Sequence, residues 1–366
     1  MSFEYTFSNL IEIGKRYNNN KRGYLLINKL QAKHLACDPS DSLAMMKSLG
    51  NVLKNEGVTS ALVIGFAETA TAIAIGASLS FDKCFYIQTT REKTNLDYIN
   101  FSELHSHAVE QKLIISKLLE VIDNYDNIVI IDDEITTGKT IVNLVNSLKN
   151  RCNLDNKRIF ALSIIDRLDD DYYNNLLNNG IKPLSLIKTN YNDFEFLDKI
   201  DTKSPQNLYP KSQYLCYNKL RLYFNIDTRI GVDLKEYLSY CDEYGDNIIN
   251  KINFNDLKEV LILGTEEFMY PTIVLGNKIK EKYGINVYIH STTRSPISIS
   301  DDINYPIHNG YELRSAYDED RETFIYNLRK YDKVIIISDS KNITNGFIED
   351  IVSILNINGS NNIDII

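Results

Sequence analysis

Short, uninterrupted apolar runs recur along the chain, and each ends in small, polar or charged residues. Because these runs do not alternate with polar positions, they predict strands buried on both faces, as in a parallel sheet covered by helices. The segments between them carry apolar residues at helical spacing, for example in 140–148. The pattern predicts an α/β fold with mainly parallel sheets flanked by helices. The predicted strands are 61–64, 84–87, 128–131 and 160–165 in the first half and 260–263, 287–289 and 334–337 in the second.

The composition of the chain changes between about residues 190 and 255, where Asn, Asp and Tyr become frequent and the apolar periodicity weakens. Pro205 and Pro210 lie in this segment, and we interpret it as a connection that leads into a second domain. A length of 366 residues also favours two domains, given a prior of roughly 150 residues each. The predicted domains are 1–210 and 211–366.

The two halves share three sequence landmarks in the same order. First comes a strand that ends in glycine (Gly65 and Gly264), then a strand followed by Thr-Thr-Arg (Arg91 and Arg294), then an apolar strand that leads to a carboxylate. The glycine and the arginine are 26 residues apart in the first half and 30 in the second. This similarity favours duplication of one α/β unit, with the second domain as a degenerate repeat of the first. Chance similarity between short apolar strands is the alternative.

Composition and charge exclude several classes of protein. With 43% hydrophobic residues and a mean hydropathy of −0.25, the chain has enough apolar material for substantial cores. No apolar run approaches the roughly 18 residues that span a bilayer, and the N-terminal segment lacks the pattern of a secretion signal. The net charge of −9 argues against sequence-independent nucleic-acid binding. Five scattered cysteines without a Cys-x-x-Cys pair favour reduced thiols. We therefore expect a cytoplasmic protein with no nucleic-acid or membrane partner.

The segment 128–140 carries the most specific chemical signal. Its end, Gly138-Lys139-Thr140, is similar to a nucleotide-binding P-loop, but Asp133 stands where that motif needs glycine, and two carboxylates would repel a triphosphate. A buried strand instead delivers Asp132 and Asp133 to the edge where open α/β sheets bind ligands. Such carboxylates suit the hydroxyls of a ribose, or hydroxyls that also contact a magnesium ion. The loop that follows offers hydroxyls, a glycine and a helix N-terminus to a monophosphate. Its residues are Thr136, Thr137, Gly138, Lys139 and Thr140.

This stretch resembles the motif that binds 5-phosphoribosyl 1-pyrophosphate (PRPP) in type I phosphoribosyltransferases: an apolar strand, two acidic residues and a Thr-Thr-Gly-x-Thr loop. The resemblance implies the type I phosphoribosyltransferase fold for the first domain. It implies that Asp132 and Asp133 hold the 2′- and 3′-hydroxyls of the ribose, and that residues 136–140 hold the 5′-phosphate. The two aspartates would bind Mg²⁺ indirectly, through PRPP or water. The alternative is an ordinary strand that ends in a capped helix N-terminus.

Two further segments follow strands in the order that this family requires. The turn after Gly65 opens a helix of small residues, and the resemblance implies that it receives the pyrophosphate of PRPP. A tight turn into a closely packed helix is the alternative. Arg91 and Lys93 resemble the Arg-Lys-Glu-x-Lys stretch of orotate-type members, which implies a catalytic role at the pyrophosphate; a solvated surface pair is the alternative. The residues of the predicted pyrophosphate turn are Phe66, Ala67, Glu68 and Thr69.

The segment before the acidic residues contains Glu103, His105 and His107, which can carry protons or charge near neutral pH. In orotate-type members this region is a hood that closes over the substrates. We therefore predict catalytic lid contacts from these three residues, with plain surface histidines as the alternative. Asp166 and Arg167 end the next strand, and we predict that they contact the acceptor base, with ordinary strand-end residues as the alternative.

The second half contains Thr-Arg-Ser-Pro at 293–296, and together with 263–271 it resembles the TRSP domain that is named for this sequence. That domain lies C-terminal to a phosphoribosyltransferase domain in a bacterial family associated with tellurium-resistance and stress operons. The resemblance implies a role in building a nucleotide-like metabolite, with a homodimer and operon-encoded enzymes as expected partners. The pair Ser338-Asp339 keeps one carboxylate and no threonine follows Gly346, so the full PRPP motif is missing. A second ligand site and a purely structural copy both stay open. The candidate ligand residues are Gly264, Thr265, Glu266, Glu267, Thr292, Thr293, Arg294 and Ser295.

These interpretations together predict a Mg²⁺-dependent phosphoribosyltransferase, an enzyme of the pentosyltransferase class. A nitrogen atom of a nucleobase-like acceptor would attack C1 of PRPP as pyrophosphate leaves, through a transition state that resembles an oxocarbenium ion. The reverse reaction would use the same site. A non-catalytic PRPP or nucleotide sensor is the alternative, although the basic residues near the pyrophosphate turn favour an enzyme.

Overall fold

The computed structural model describes residues 4–18, 23–101, 111–208 and 215–366. Within these ranges no helix is long and apolar enough to cross a membrane. The helices are α1 (Phe7–Leu10), α2 (Pro39–Asn55), α3 (Thr71–Ser78), α4 (Ser116–Val121), α5 (Lys139–Lys149), α6 (Asp170–Asn178), α7 (Leu234–Ile249), α8 (Tyr270–Tyr283) and α9 (Asn345–Ile357), with 3₁₀ turns at Ile122–Asn124 and Glu195–Lys199. The strands are β1 (Ile11–Lys15), β2 (Tyr24–Asn28), β3 (Ser60–Gly65), β4 (Lys83–Gln88), β5 (Tyr98–Asn100), β6 (Lys112–Ile114), β7 (Asn127–Ile135), β8 (Arg158–Asp166), β9 (Ile181–Lys188), β10 (Gln206–Asn207), β11 (Asn218–Lys219), β12 (Val232–Asp233), β13 (Glu259–Gly264), β14 (Asn286–Ser291), β15 (Gly310–Arg314), β16 (Glu322–Tyr326), β17 (Lys333–Ile337) and β18 (Ile363–Ile365).

The chain divides into two compact units. The first unit consists chiefly of Ala44–Tyr191 and Ile226–Tyr240. The second unit consists of Thr6–Leu43, Asn192–Asn225 and Cys241–Ile366. The predicted boundary between 210 and 211 falls on 209–214, which are outside the described residues. The domains 1–210 and 211–366 therefore stay a prediction.

The first unit is built on a six-stranded sheet in the order β12-β4-β3-β7-β8-β9. Strands β4, β3, β7, β8 and β9 run parallel, and the short edge strand β12 is antiparallel to β4. The four predicted strands of the first half lie in this sheet, and their apolar residues are buried beneath helices such as α3, which packs against β3, β4 and β7. Ile141, Leu144, Val145 and Leu148 of α5 share one core with residues of β3 and β7, which confirms the predicted helical stripe. The predicted α/β fold is thus confirmed for this unit.

The register of this sheet aligns the carboxyl ends of its strands. Gly65, the last residue of β3, pairs with Gln88 of β4 on one side and with Ile131 of β7 on the other. Strand β7 extends beyond this point, and its Asp132 pairs with Ser163 of β8. Because parallel strands present their carboxyl ends at one edge, the loops after β3, β4 and β7 lie next to one another.

The second unit contains a five-stranded parallel sheet in the order β11-β18-β17-β13-β14. The three predicted strands of the second half are β13, β14 and β17 of this sheet. The unit also contains the antiparallel pair β1–β2 and a small sheet in which β15 lies between β10 and β16. Phe347 and Ile351 of α9 share a core with β13 and β17. The predicted parallel sheet flanked by helices is therefore present in this unit as well.

The order of the central strands is the same in both units: β4-β3-β7-β8 in the first and β14-β13-β17-β18 in the second. The glycine that ends β13, Gly264, pairs with Ser291 and Ile337, as Gly65 pairs with residues of β4 and β7. A shared strand order and register is what duplication of one unit predicts. Duplication itself stays a prediction.

Candidate active site

Hydrogen bonds interlock the loops that follow β3, β4 and β7. The N–H of Phe66 donates to the carbonyl of Ile131 at 2.9 Å, and the N–H of Thr89 donates to the carbonyl of Gly65 at 2.9 Å. The N–H of Ala67 donates to Oγ1 of Thr89 at 2.8 Å, and both of these residues are buried. These bonds extend the contacts of the sheet beyond its last strand pairs, and they hold the three loops against one another.

The predicted pyrophosphate turn (66–69) is the loop after β3, and most of its side chains are buried. Phe66, Ala67 and Glu68 are each at most 5% exposed, whereas Thr69 is partly exposed. The turn leads into α3, whose residues are buried along the whole helix. Close packing is therefore a property of this turn, and the N–H groups of Phe66 and Ala67 already donate within the protein.

Arg91 lies just beyond β4, in a segment that is fixed by its neighbours. The preceding residue, Thr90, exchanges two backbone hydrogen bonds with Lys112, at 2.8 and 2.9 Å. The Nε atom of Arg91 is buried, and it has no hydrogen-bond partner within the part of the chain that the structure describes. Because leaving a buried guanidinium N–H without an acceptor is unfavourable, this atom is a candidate donor to an anionic ligand. Lys93 is exposed to solvent.

The acidic pair (Asp132 and Asp133) and the following Glu134 continue β7 past its buried part, and all three are partly exposed. The N–H of Asp133 donates to Oδ1 of Asp132 at 2.9 Å, and the N–H of Glu134 donates to Oδ1 of Asp133 at 3.0 Å. Desolvation of its carboxyl group, and then the charge of Asp133, raise the pKa of Asp132 well above its usual range. A cation or a pair of hydroxyl donors would relieve this repulsion, so the pair is suited to such ligands.

The phosphate loop (136–140) turns from β7 into α5 through Gly138, which has a φ of +66° and is the N-cap residue of α5. A Cβ atom at this position would lie 2.9 Å from Cδ1 of Leu176, so the turn requires glycine both for its conformation and for space. The loop therefore presents its hydroxyls beside a helix N-terminus, as an anion site requires. The side chains that are at least partly exposed are Thr136, Thr137, Lys139 and Thr140.

Asp166 and Arg167, the predicted contacts of the acceptor base, come from the end of β8. The buried carboxylate of Asp166 accepts a hydrogen bond from the N–H of Leu168 at 2.8 Å, and burial raises its pKa. The guanidinium of Arg167 donates to Oε1 of Glu134 and to the carbonyl of Tyr191, both at 3.2 Å. The two side chains of the ion pair are only 9% and 12% exposed. Glu134 was not predicted, although its place directly after the acidic pair was an available signal.

Three predicted catalytic residues, Glu103, His105 and His107, lie in 102–110, outside the described residues, and stay predictions. Within the described ranges, no group of three or more His, Cys, Asp or Glu side chains could hold a metal ion. The structure gathers the other predicted groups at one edge of the first sheet: the pyrophosphate turn, Arg91, the acidic pair, the phosphate loop and the end of β8.

The candidate ligand residues of the second unit also gather at the carboxyl edge of its parallel sheet. Glu266 is fully buried, and its carboxylate forms ion pairs with Arg294 and, at 3.2 Å, with Arg321. It also accepts a hydrogen bond from the hydroxyl of Ser315, and its backbone carbonyl accepts one from the buried ammonium of Lys33. Arg321 and Ser315 were not predicted, because no sequence pattern connects the β15–β16 segment with Glu266.

Hydrogen bonds connect the other candidates in this unit. Oγ1 of Thr265 donates to Oγ of Ser338 at 2.9 Å, and the N–H of Glu266 donates to Oγ1 of Thr292 at 3.1 Å. The second set of predicted residues is therefore brought together, as the first set is. The same edge contains Gly264, Glu267, Thr293, Arg294 and Ser295.

Comparison with protein families accounts for both halves of the chain. A family described as phosphoribosyl transferase matches residues 10–188. A family described as the TRSP domain C-terminal to that phosphoribosyl transferase matches residues 228–355. The two matches together identify a phosphoribosyl transferase domain followed by a TRSP domain. This confirms the family and the pentosyltransferase class that the sequence predicts.

Solved structures similar to this phosphoribosyl transferase cover about half of its chain. Adenine phosphoribosyl transferase from Trypanosoma brucei, in complex with AMP, pyrophosphate and ribose-5-phosphate, is 10% identical with a TM-score of 0.35, over 51% of this chain and 80% of that one. The Giardia lamblia adenine enzyme, complexed with 9-deazaadenine, is 12% identical with a TM-score of 0.34, over 50% and 96%. Orotate phosphoribosyltransferase from Aeropyrum pernix is 16% identical with a TM-score of 0.30, over 48% and 87%. Among curated proteins none matches, so the assignment rests on the two family matches.

Proposed function

We propose that this phosphoribosyl transferase uses PRPP and a nucleobase-like acceptor with Mg²⁺, or catalyses the reverse reaction, at the carboxyl edge of the first sheet. The observation that carries the proposal is the buried Nε of Arg91, which has no hydrogen-bond partner among the described residues. It lies at the same sheet edge as the acidic pair and the phosphate loop. A donor for an anion, acceptors for hydroxyls and a helix N-terminus together suit a ligand that combines a diol with phosphate groups. PRPP is such a ligand.

In this proposal PRPP is held on both sides of C1 of its ribose. The acidic pair accepts hydrogen bonds from the 2′- and 3′-hydroxyls, and the phosphate loop holds the 5′-phosphate. The pyrophosphate turn, Arg91 and Lys93 receive the pyrophosphate group. Binding through three separate loops fixes C1 relative to the acceptor, which lowers the entropic part of the barrier.

The acceptor side is assigned to the end of β8 and to the lid. Asp166 and Arg167 would contact the acceptor ring, because they lie beside the acidic pair through the ion pair of Arg167 with Glu134. The proposed lid residues are Glu103, His105 and His107. A lid histidine would take the proton that the acceptor nitrogen loses, and lid closure would exclude the water that otherwise hydrolyses PRPP.

The charges of the site suit the proposed reaction. The acceptor nitrogen forms a bond to C1, and the bond from C1 to the pyrophosphate oxygen breaks with its electron pair remaining on pyrophosphate. Positive charge then develops on the ribose and negative charge on the leaving group. In this proposal the acidic pair contacts the ribose and Arg91 contacts the pyrophosphate, so each group would stabilise the charge that develops near it.

The carboxylate oxygens of the first site are suitable ligands for Mg²⁺. Carboxylate oxygens are hard ligands, and Mg²⁺ is usually bound by one or two of them together with water and phosphate oxygens. Burial and the charge of Asp133 raise the pKa of Asp132, and a bound cation would offset this unfavourable negative charge. Asp132 and Asp133 would hold the ion through PRPP or water, and the ion, when bound, would neutralise part of the pyrophosphate charge.

Isothermal titration calorimetry with PRPP and Mg²⁺ tests the proposal. We expect binding by the wild type and its loss when Asp133→Asn is combined with Thr137→Ala, since this removes a carboxylate from the diol site and a hydroxyl from the phosphate site. Asp339→Asn, at the corresponding strand end of the second unit, is the matched control and should bind PRPP as the wild type does. No heat with the wild type, or unchanged heat with the double variant, would overturn the proposal.

A second measurement separates an enzyme from a PRPP sensor. A single turnover with a panel of nucleobases should release pyrophosphate from PRPP with at least one acceptor. A sensor would bind PRPP in the calorimeter and release no pyrophosphate with any base above the rate of spontaneous hydrolysis.

The family resemblance extends the proposal to the cell. We place the enzyme in the cytoplasm, in a tellurium-resistance or stress response, where it builds or modifies a nucleotide-like metabolite as a homodimer alongside operon-encoded enzymes. Metabolite profiles of cells that express the wild type or Asp132→Asn would identify the acceptor. Light scattering of the purified protein would measure its oligomeric state.

A further inference from the structure

Matching hydrogen bonds place Glu266 of the second unit at the position that Ala67 occupies in the first. The N–H of Ala67 donates to Oγ1 of Thr89 at 2.8 Å. The N–H of Glu266 donates to Oγ1 of Thr292 at 3.1 Å. A small apolar residue in one unit thus corresponds to a carboxylate in the other.

The correspondence extends to an arginine in each unit. Both threonines donate their own N–H groups to the glycine that ends the preceding strand, to Gly65 at 2.9 Å and to Gly264 at 3.2 Å. Each is followed by a second threonine and then by an arginine, so Arg91 and Arg294 correspond. The two arginines differ in what their Nε atoms contact. Nε of Arg91 has no hydrogen-bond partner among the described residues, whereas Nε of Arg294 contacts the carboxylate of Glu266.

The carboxylate of Glu266 is surrounded as a bound anion would be. Its side chain is fully buried, and its oxygens contact the guanidinium groups of Arg294 and Arg321 and the hydroxyl of Ser315. Two cations and a hydroxyl around one buried anion form the kind of donor set that recognises phosphate oxygens. The backbone of Glu266 has a φ of +45°, a conformation that residues with a side chain rarely adopt. A carboxylate side chain occupies this position despite the unfavourable backbone conformation, as expected if its charge has a specific role there.

A second carboxylate lies at the helix end that corresponds to the phosphate loop. Helix α9 follows β17 as α5 follows β7, and the N–H of Gly346 in its first turn donates to Oε1 of Glu319 at 3.1 Å. Helix N-termini attract anions, and here a side chain of the same unit supplies the anion.

We propose that Glu266 is a built-in anion that fills the pyrophosphate position of the second site, so that the TRSP domain binds no phosphate ligand there. Phosphoribosyl transfer is then confined to the first unit. The sequence leaves open a second ligand site and a purely structural copy, and at this position the proposal chooses the structural copy. The identification of this position with the pyrophosphate site rests on the proposed function of Arg91. The ion pairs of Glu266 with Arg294 and Arg321 do not depend on that function.

Removal of this carboxylate should create an anion site. In Glu266→Gly, which suits the positive φ, Arg294 and Arg321 lose their shared partner. We would titrate inorganic pyrophosphate into this variant in an Arg91→Ala background, so that the first site contributes no binding through Arg91. We expect affinity on the order of tenfold or more above that of the Arg91→Ala parent. Glu267→Gln in the same background is the matched control: its Oε1 lies 3.8 Å from Nη2 of Arg294, and its neutralisation should add no binding.

Two results would overturn the inference. One is equal pyrophosphate affinity of the parent and the folded Glu266→Gly protein. The other is pyrophosphate binding by the parent that is lost on Arg294→Ala. If the glycine variant folds poorly, refolding from urea replaces the titration: pyrophosphate should raise the refolding yield of Glu266→Gly and of Glu266→Gln but not of the parent, and equal yields would again overturn it. Failure of the wild type to bind PRPP would sink the proposed function and leave these comparisons intact.

Discussion

The hydroxyl of Thr89 accepts a hydrogen bond from the N–H of Ala67 at 2.8 Å, and this bond ties the loop after β4 to the pyrophosphate turn. In Thr89→Val the side chain keeps its shape but the buried N–H of Ala67 loses its acceptor. We expect the free energy of unfolding to fall by about 1–3 kcal/mol. PRPP affinity should fall as well, because two loops of the proposed site are no longer held together. Thermal unfolding and calorimetry measure the two effects.

Thr292→Val is the matched control, because Oγ1 of Thr292 accepts the N–H of Glu266 in the second unit at 3.1 Å. It should lower stability by a similar amount and leave PRPP affinity unchanged. If both variants lose PRPP affinity equally, the contact of Thr89 has no local role in binding.

Gly138→Ala tests whether the phosphate loop depends on its left-handed residue. The substitution places a side chain at a φ of +66° and a Cβ atom 2.9 Å from Cδ1 of Leu176. The conformation alone costs about 1–2 kcal/mol, and the contact should displace the loop. We expect a lower unfolding temperature and PRPP binding that is weaker by on the order of tenfold.

Gly180→Ala separates these two effects. Gly180 also has a positive φ, of +76°, but a Cβ atom there meets nothing within 4 Å. This variant should lose stability, by about 1 kcal/mol, and keep the PRPP affinity of the wild type. Unchanged PRPP binding in both variants would contradict a role for the phosphate loop in holding the donor.

The parallel strands could be predicted because the burial of both sheet faces leaves a direct mark on the sequence. Strands β3 and β7 are uninterrupted apolar runs, and their buried residues need no polar alternation. Helix α7 lies in a segment interpreted as a connection because Asn, Asp and Tyr are frequent there, although its buried side chains follow helical spacing from Leu234 to Ile248. Strand β9 was not predicted, because Lys182, Pro183 and Ser185 interrupt its apolar run.

Residues of the site that adjoin in sequence could be predicted, and residues that meet through the tertiary fold could not. The acidic pair and the phosphate loop follow one strand, so their proximity is fixed by chain connectivity. The ion pair of Glu266 with Arg321 joins residues 55 positions apart. It depends on where the β15–β16 hairpin packs, which no local pattern of charge reveals.

The buried His290 predicts an acid-sensitive second unit. Its Nε2–H donates to the carbonyl of Tyr326 at 2.9 Å, and its Nδ1 accepts the N–H of Ser291 at 2.8 Å. The bond that Nδ1 accepts requires the neutral ring, and burial lowers the pKa of His290 from 6.5 to about 4. An unfolded chain therefore binds a proton that the folded chain excludes. The stabilisation is complete above about pH 6.5 and is lost progressively as the pH falls through about 4.

We expect a loss of about 2 kcal/mol by pH 5 relative to pH 7, which urea unfolding followed by circular dichroism would measure. In His290→Gln this part of the pH dependence should disappear, because glutamine does not titrate. His308→Gln, an exposed histidine of the same unit, is the control and should keep it. If the stability of the wild type is constant between pH 7 and 5, His290 has the same protonation state in the folded and the unfolded chain, which would contradict the prediction.

The ion pair between Glu134 and Arg167 predicts that a substitution can weaken binding of the acceptor base without weakening binding of PRPP. Each nitrogen of the Arg167 fork has its own acceptor, Oε1 of Glu134 and the carbonyl of Tyr191, both at 3.2 Å. In Arg167→Lys a single ammonium cannot reach both, so the residue loses its fixed position. If Arg167 contacts the acceptor ring, binding of nucleoside 5′-monophosphates should weaken while PRPP binding stays, as measured by calorimetry with both ligands.

Glu134→Gln should act in the same direction and destabilise the fold by about 3 kcal/mol, because it leaves a nearly buried guanidinium without its carboxylate. An equal loss of PRPP and nucleotide affinity in Arg167→Lys would instead assign Arg167 to the part of the site that holds the ribose and its phosphates.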